Sequence, residues 1–513
     1  MTNKSRTLLF FTFFSTLFLI LSSLCLTLLS GTYIVSDLGG SHDIAIYAFA
    51  FFGVGTAVGL PLGHQFLHRI GVVKLYAICL LLFILFSLLG SSASDYPSFL
   101  LSRFLEGCVS APLFIVINYL FTNLTPQEKK VSFASISFAF FVISPIIGSC
   151  WGGWIAYDYH WRYLFYFDAL FAFLIFFVIC AKLKNEDVQP QEKPLPFNAI
   201  GWIFYTIGIT SLSFVLITGQ EFDWFRSNLI VLLAAIGFLS TLFFILWDLN
   251  HPNPIIELRL LKQGTFAFAT FNLIFLFATY FGIVIMLSNW LILYVNYTPI
   301  WLGFLLGIMI VAGFVSVFVT QKKFGNLDPR IPLAIAIIFF GISCFYTSMF
   351  NVEINLERVV ISRILAGFGL TLFLPPIRKL YAESSFHMQT LPTEVFFHVM
   401  RSLASAVGAS LYQIIWQRRE VFYHERLGSQ LTVFSTQTQE FFANAKQFQL
   451  YGLKSDAQLD YFLERQSFAL ALDDCFYLMG WVMVALLVIL IFTFLIKNFG
   501  FKKLTQPALT KFK

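Results

Sequence analysis

Arg103, Glu106 and Asp168 are the residues of this chain best placed to do chemistry, because each puts an ionisable side chain inside an apolar run. Arg103 and Glu106 are three residues apart, which on a helix sets both on one face within pairing reach. A charge at the centre of a membrane helix costs about 2.5 to 3.5 kcal/mol on insertion scales, and a partner lowers that cost. Asp168 is flanked by Phe165, Phe167 and Phe171. Apolar surroundings favour the neutral form of a carboxyl, which suits a group that takes up and gives back protons. The chemistry available is therefore proton binding and ion pairing. Two plainer readings stand beside it: Arg103 reaches the interface along its own stem, and Asp168 pairs with Arg162 or is reached by interfacial water.

Arg103-Phe-Leu-Glu-Gly107 has a counterpart, Arg363-Ile-Leu-Ala-Gly367, 260 residues later. His68-Arg69-Ile70-Gly71 is matched by Lys322-Lys323-Phe324-Gly325 after 254 residues. Two anchors at nearly equal separation indicate two related halves, the footprint of a secondary transporter with polar machinery near the bilayer midplane.

The elements that must hold these residues are membrane helices. The 513 residues are 58% hydrophobic and 12% charged with a mean hydropathy of +0.79, whereas soluble domains carry about 25% charge. Apolar runs lie at about 8–30, 44–66, 75–93, 99–121, 131–156, 161–181, 197–218, 228–248, 266–290, 299–320, 331–350, 356–377, 396–417 and 474–496. Each is long enough to span a bilayer as a helix. With the N-terminus in the cytoplasm, the inner loops and tails hold 21 Lys and Arg, whereas the short outer loops hold only Arg162, Arg226 and Arg358. That asymmetry places both termini inside and explains the net charge of +6 without nucleic acid. The first run lacks a small-residue cleavage site and reads as an uncleaved span.

The expected fold is an all-α membrane protein with fourteen transmembrane helices. The polar stretch Lys182–Pro196 separates an N-terminal six-helix bundle, 1–181, from a linker and inserted helix pair, 182–261. A C-terminal six-helix bundle, 262–513, carries a long periplasmic loop at about 418–473 that is too polar to span. That loop either is a passive solvated segment or lies as short amphipathic helices where a partner docks. Gly55, Gly59 and Gly63, like Ser144, Gly148 and Gly152, recur every four residues and line one helix face. Such stripes serve close packing, or sliding during alternating access. Arg401, with His398 three residues before it, stands near the cytoplasmic end of its run and either snorkels or faces the cavity.

All seven cysteines lie inside runs or at their edges with no close pairing, so disulfide and zinc readings both fail. No Walker A loop, HExxH or GxSxG sequence occurs. Neither ATP hydrolysis nor a metal or other cofactor is expected, and a polytopic membrane enzyme would need a His, Asp or Ser constellation at one face, which the sequence lacks. Energy then comes from an ion gradient.

At these residues the chain resembles the major facilitator superfamily, and within it the fourteen-span drug:proton antiporter branch. Arg103-Phe-Leu-Glu-Gly107-Cys-Val-Ser-Ala-Pro112 is similar to the branch's fourth-span motif, and Gly148-Ser-Cys-Trp-Gly152-Gly153 to its fifth-span antiporter motif. Tyr159-His-Trp-Arg-Tyr-Leu-Phe165, Gly219-Gln-Glu-Phe-Asp-Trp224, Asn253-Pro-Ile-Ile-Glu-Leu258 and Arg401-Ser-Leu-Ala-Ser-Ala-Val-Gly408 extend the resemblance over nearly the whole chain. Arg69 and Gly71 stand in the cytoplasmic loop motif, whose acidic position is His68. Ser23 stands at about the place of the branch's first-span aspartate, Ser149 replaces a proline, Glu106 a glutamine and Asp168 an asparagine. The resemblance implies proton-driven efflux of small amphipathic compounds across the cytoplasmic membrane, with protonatable groups relocated to Glu106 and Asp168. It also implies cavity or gating roles for Arg103, Arg363, Arg401, Gly148, Gly152 and Gly153. A periplasmic adaptor with an outer-membrane channel is the partner such an exporter would use, and export of one dedicated metabolite, such as a siderophore, is the alternative.

The charge count has a direct test. A reporter fused near Gln191 should report cytoplasm and one near Phe448 the outer face; reversed signals would refute the topology.

Overall fold

The structure is a computed structural model and describes residues 3–124, 130–182, 196–324, 328–384, 390–432, 434–447 and 451–495. Most of the Lys182–Pro196 linker and Gly325 of the second loop motif fall outside the described residues, as do the positions Gln191 and Phe448.

All regular structure among the described residues is helical. In chain order the helices are α1 (Asn3–Cys25), α2 (Thr27–Asp37), α3 (Tyr47–Ile70), α4 (Val72–Ser91), α5 (Tyr96–Leu124), α6 (Lys130–Asp158), α7 (Arg162–Lys182) and α8 (Ala199–Thr218). They continue as α9 (Asn228–Asn250), α10 (Gly264–Leu293), α11 (Pro299–Phe324), α12 (Arg330–Thr347), α13 (Leu356–Ser384), α14 (Thr390–Gly428), α15 (Thr436–Gln447) and α16 (Leu453–Leu495). In hydrocarbon a helix satisfies its own backbone polar groups, so long apolar runs fold this way even with Pro61, Pro112 and Pro145 inside them. The polarity pattern is reversed from that of a soluble protein. Arg103 is 0% exposed while Phe177 is 67% exposed, as a bilayer demands.

Twelve helices among the described residues are long and apolar enough to cross a membrane, against the fourteen expected. The runs outside the twelve belong to α11, whose apolar part is the shorter helix Pro299–Val315, and to α14, which carries His398, Arg401 and a polar second half. Two further features have local causes. The first run is two helices, because the ladder is interrupted at Leu26, whose N–H donates to the Ser23 carbonyl three residues back (3.3 Å). Residues 418–473, for which the sequence left a passive loop and short amphipathic helices both open, are largely helical among the described residues, as extensions of α14 and α16 with α15 between them. No Gly or Pro lies between Gly408 and Gly428 to stop α14, and Gly452 at φ +55° turns the chain into α16.

Two compact units divide the chain. The first comprises Met1–Leu306 with Ser384–Gln417, the second Gly307–Glu383 with Arg418–Lys513. Within the first, α3 lies against α5 so closely that a Cβ at Gly59 would sit 2.0 Å from the Cys108 carbonyl oxygen, and one at Gly55 2.0 Å from that of Phe104. Gly107 answers from α5, facing the Phe52 carbonyl. α3 ends at Gly71, whose φ of +91° is a conformation that residues with a Cβ rarely adopt. α8 and α9 form a hairpin in which Gly208 meets Thr241 and Gly237 meets Leu212. In the second unit α12 lies on α16, with Phe345 over Gly480.

Gly59→Ala should therefore destabilise the protein by about 1 to 3 kcal/mol through overpacking. Gly307→Ala, where a Cβ meets nothing within 4 Å, should be neutral. Thermal unfolding of the detergent-solubilised variants distinguishes them, and equal midpoints would refute the close contact.

Candidate functional site

The first unit holds a fully buried polar cluster around Arg103. Its guanidinium pairs with Glu106 one turn on, and Nη2 donates to the Ser23 carbonyl oxygen at 2.7 Å. Nη1 also lies 3.4 Å from the Ser23 hydroxyl. Arg103, Glu106, Ser23 and Ser87 are all 1% exposed or less. Glu106 Oε1 accepts from Ser87 at 3.1 Å and from Ser23 at 3.4 Å. Phe52 and Phe165 flank the guanidinium, their ring centroids 4.4 and 5.5 Å from Cζ. The break between α1 and α2 belongs to this site. A side chain that takes a carbonyl from the i→i−4 ladder is one way a helix is interrupted, and Arg103 takes that of Ser23.

Asp168, two turns into α7, is partly exposed, with its Oδ2 atom closed off and making no hydrogen bond. Ser23 reaches its side chain, and the charges of Glu106 and Arg103 act on it. The structure thus brings Arg103, Glu106 and Asp168 together around Ser23. The alternative of an Asp168–Arg162 pair fails, because Arg162 donates instead to Asp37 Oδ2 at 2.7 Å and to the Ala93 carbonyl at 3.1 Å. Trp161 also donates to Asp37, at 2.9 Å, and these bonds, Trp161 first, hold the Asp37 carboxyl below the usual carboxylate range.

The α6 stripe sits against the same break. A Cβ at Gly148 would lie 2.3 Å from the Ser22 carbonyl oxygen, and one at Gly152 2.0 Å from that of Leu26. Gly153 faces Leu29 and Pro299. Ser149, in place of the branch's proline, donates to the Cys25 carbonyl at 3.1 Å.

Arg401 and His398 lie elsewhere in the first unit. Arg401, 5% exposed, has Cζ 5.0 Å from the Phe141 ring centroid and 5.9 Å from that of Phe277. His398 is buried, with Nε2 3.4 Å from the Glu394 carboxylate and its ring 4.3 Å from that of Phe114. Both line a small cavity with α1, α3 and α5. Arg363, in the second unit, is 2% exposed and donates to Ser362 Oγ at 3.0 Å, within a set of hydroxyls that includes Ser343 and Thr347. Ala366 stands where the first repeat has Glu106. Arg69 is exposed at the end of α3, with Phe197 5.9 Å from its Cζ.

Sequence reasoning missed Ser87 and Phe52, whose types carry no signal in an apolar run. It also missed Asp248, 1% exposed near the end of α9. Asp248 accepts from the backbone N–H groups of Ile255 (2.7 Å) and Ile256 (3.0 Å) and lies 3.4 Å from Asn198 Nδ2. It ties the α8–α9 hairpin to the Asn253-Pro-Ile-Ile-Glu-Leu258 segment. A lone acid at the end of an apolar run followed by Asn-Pro was the available signal.

The Major Facilitator Superfamily profile matches residues 12–409. The chain is 24% identical over 466 residues to the multidrug export protein EmrB of Haemophilus influenzae, covering 90% of both chains. It is 25% identical over 417 residues to the fatty acid resistance protein FarB of Neisseria gonorrhoeae, covering 81% of both. Among solved structures it resembles a POT family transporter in complex with 5-aminolevulinic acid, with a TM-score of 0.64 at 13% identity over 95% of this chain and 96% of that one. A bacterial homolog of the human lysosomal transporter Spinster, inward-facing and unoccupied, gives 0.57 at 12% identity over 96% and 98%. These structural likenesses concern the fold.

Removing one member of a buried pair strands the other at a cost of about 3 to 5 kcal/mol. Arg103→Ala should therefore depress the membrane level of the protein more than Arg103→Ala combined with Glu106→Ala. Quantitative immunoblotting of membranes reads this, and additive losses would exclude the pairing.

Proposed function

This chain belongs to the major facilitator superfamily, and from that premise we propose that it is a proton-driven exporter of amphipathic organic compounds in the cytoplasmic membrane. It is a membrane-embedded transporter by family and by its apolar helices, and the multidrug export names of its relatives support efflux. The observation that supports proton coupling is the buried Ser23–Arg103–Glu106 cluster with the partly exposed Asp168 beside it. Two carboxyls stand around Ser23, which by resemblance stands at about the place of the branch's first-span aspartate. Glu106 has Arg103 as counter-charge, and Asp168 keeps one oxygen without a hydrogen bond. A proton taken up by either carboxyl weakens the hold on the guanidinium, which retains the Ser23 carbonyl; loss of the proton restores the pair. Because this exchange occurs at the α1–α2 break, and the α6 glycines face its carbonyls, the cluster is placed to shift those helices between two arrangements. Each proton carries about 2.3 kcal/mol per 100 mV of membrane potential, besides the pH difference.

In this reading the chain has fourteen spans, with α11 and α14 completing the twelve, two six-helix bundles around an inserted pair, and both termini in the cytoplasm. The central cavity alternates between faces, with Arg363 and the cytoplasmic Arg69–Gly71 turn serving gating. The polar extensions of α14 and α16 with α15 are where a periplasmic adaptor leading to an outer-membrane channel would dock. The name of FarB, a fatty acid resistance protein, supports amphipathic cargo over a dedicated hydrophilic metabolite such as a siderophore.

Asp168→Asn mimics the protonated carboxyl in shape. It should still bind and exchange substrate but lose uphill, pH-driven accumulation in everted vesicles. If Asp168→Asn vesicles accumulate a fluorescent substrate at the normal rate while Glu106→Gln vesicles do not, Glu106 is the carrier; normal accumulation by both removes the cluster from coupling.

A further inference from the structure

In the second unit, charged contacts pair the polar half of α14 with the first half of α16. Arg419 Nε donates to Asp474 at 2.7 Å, Tyr423 donates to the same carboxylate at 2.9 Å, and Ser467 donates to Glu420 at 2.9 Å. His424 is the outermost rung. Its Nδ1 faces Glu420 on its own helix and its Nε2 faces Asp460 on α16, each at 3.5 Å. The neighbouring charges are Glu425 and Arg426 beside it on α14, and on α16 Asp456 and Glu464, one turn to either side of Asp460. Arg419 is engaged by Asp474, and Arg465 has its Cζ 5.7 Å from the Tyr461 ring centroid. α15, which meets α16 through Phe441 and Phe462, carries Glu440 and Lys446.

A neutral imidazole has one N–H and one lone pair, so between two carboxylates it satisfies one and turns its lone pair on the other; the imidazolium donates to both. The placement of His424 suits the charged ring. We propose that His424 is a pH-operated clasp in the outer extension of the protein: acid closes it by joining Glu420 and Asp460 across the two helices, and rising pH releases one of them. Histidine changes charge between about pH 5 and 8, whereas carboxylates ordinarily titrate near about pH 4, so the imidazole is the member that switches. Ser467 already holds Glu420 to α16, so the clasp tightens a hairpin whose register is set. It restrains the outer half of a helix that continues to Arg401 and His398. That the clasp samples the compartment from which protons enter rests on the exporter reading; its dependence on pH does not.

Hydrogen exchange of the purified full chain in detergent, read by mass spectrometry at about pH 5.5 and about pH 8, tests this. Wild type is compared with His424→Gln at each pH, so that intrinsic exchange rates cancel. At the lower pH, wild-type amides in 420–432 and 456–467 should exchange about two- to fivefold more slowly than those of the variant, the factor that an exposed ion pair supplies, and at the higher pH equally fast. Asp460→Asn should remove the acid protection, and His424→Arg, which stays charged, should extend it to the higher pH. Equal exchange of wild type and His424→Gln at the lower pH would overturn the proposal. So would the same excess protection at both pH values, which is what a merely packed ring gives. A cytoplasmic signal from the reporter near Phe448 would overturn the outer placement and with it the exporter topology, while the pH dependence is decided by the exchange data alone.

Discussion

A guanidinium with no exposed surface, two turns into a membrane helix, is the constraint around which the first unit is organised. Arg103 keeps its charge in proteins, so everything near it must supply acceptors or polarisable faces. Glu106 supplies the counter-charge, Ser23 a backbone carbonyl, and Phe52 and Phe165 the ring faces. The first apolar run yields to this demand: Ser23 gives its carbonyl to Arg103, and the helix is interrupted at Leu26. A stabilising bond in one place is thus a discontinuity in another.

Close backbone approach is the second requirement, and it follows from the first. A cluster gathered from α1, α4, α5 and α7 closes only if those helices come near enough for short side chains such as Ser23 and Ser87 to reach Glu106. The glycines make that possible. Gly55, Gly59 and Gly107 let α3 and α5 meet carbonyl to Cα, and Gly148 and Gly152 let α6 cover the broken stretch of α1. Lipid gives helices no hydrophobic reason to associate, so contact of this kind must come from small residues and hydrogen bonds. The same surfaces are smooth, which suits helices that shift against one another.

The two arginines of the internal repeat have diverged in chemistry. Arg103 faces an acid, whereas Arg363 has Ala366 at the corresponding position and lies among the hydroxyls of Ser362, Ser343 and Thr347. The first repeat holds the Arg103–Glu106 pair, and in the second the Ser362 hydroxyl is one partner of Arg363. That asymmetry is why the coupling proposal rests on the first unit. Arg401 adds a second buried cation there, against aromatic rings, and shares Phe52 and α1 with the first.

Class, membrane setting and most helix positions were legible in the sequence, because a bilayer imposes one length and one polarity on every span and leaves loops to carry the charge. The Arg103–Glu106 pair was legible for the same reason: a three-residue spacing on a helix decides adjacency locally. The partner of Asp168 was not, since Arg162 is near it in sequence yet turns to Asp37 across the fold. Nor was the break at Leu26, which no Gly or Pro announces and which accompanies a contact from 80 residues away. Helices through 418–473 were one of two readings the sequence left open, because polarity sets where a helix leaves the lipid but not where it ends. Ser87 was invisible because its role depends on a group brought to it by another helix, and the one signal of Asp248, a lone acid at the end of an apolar run, did not name the partners it meets. Sequence alone determined what the solvent requires of each segment; tertiary structure alone decided which buried polar groups satisfy one another, because that depends on distances between helices that no single segment encodes.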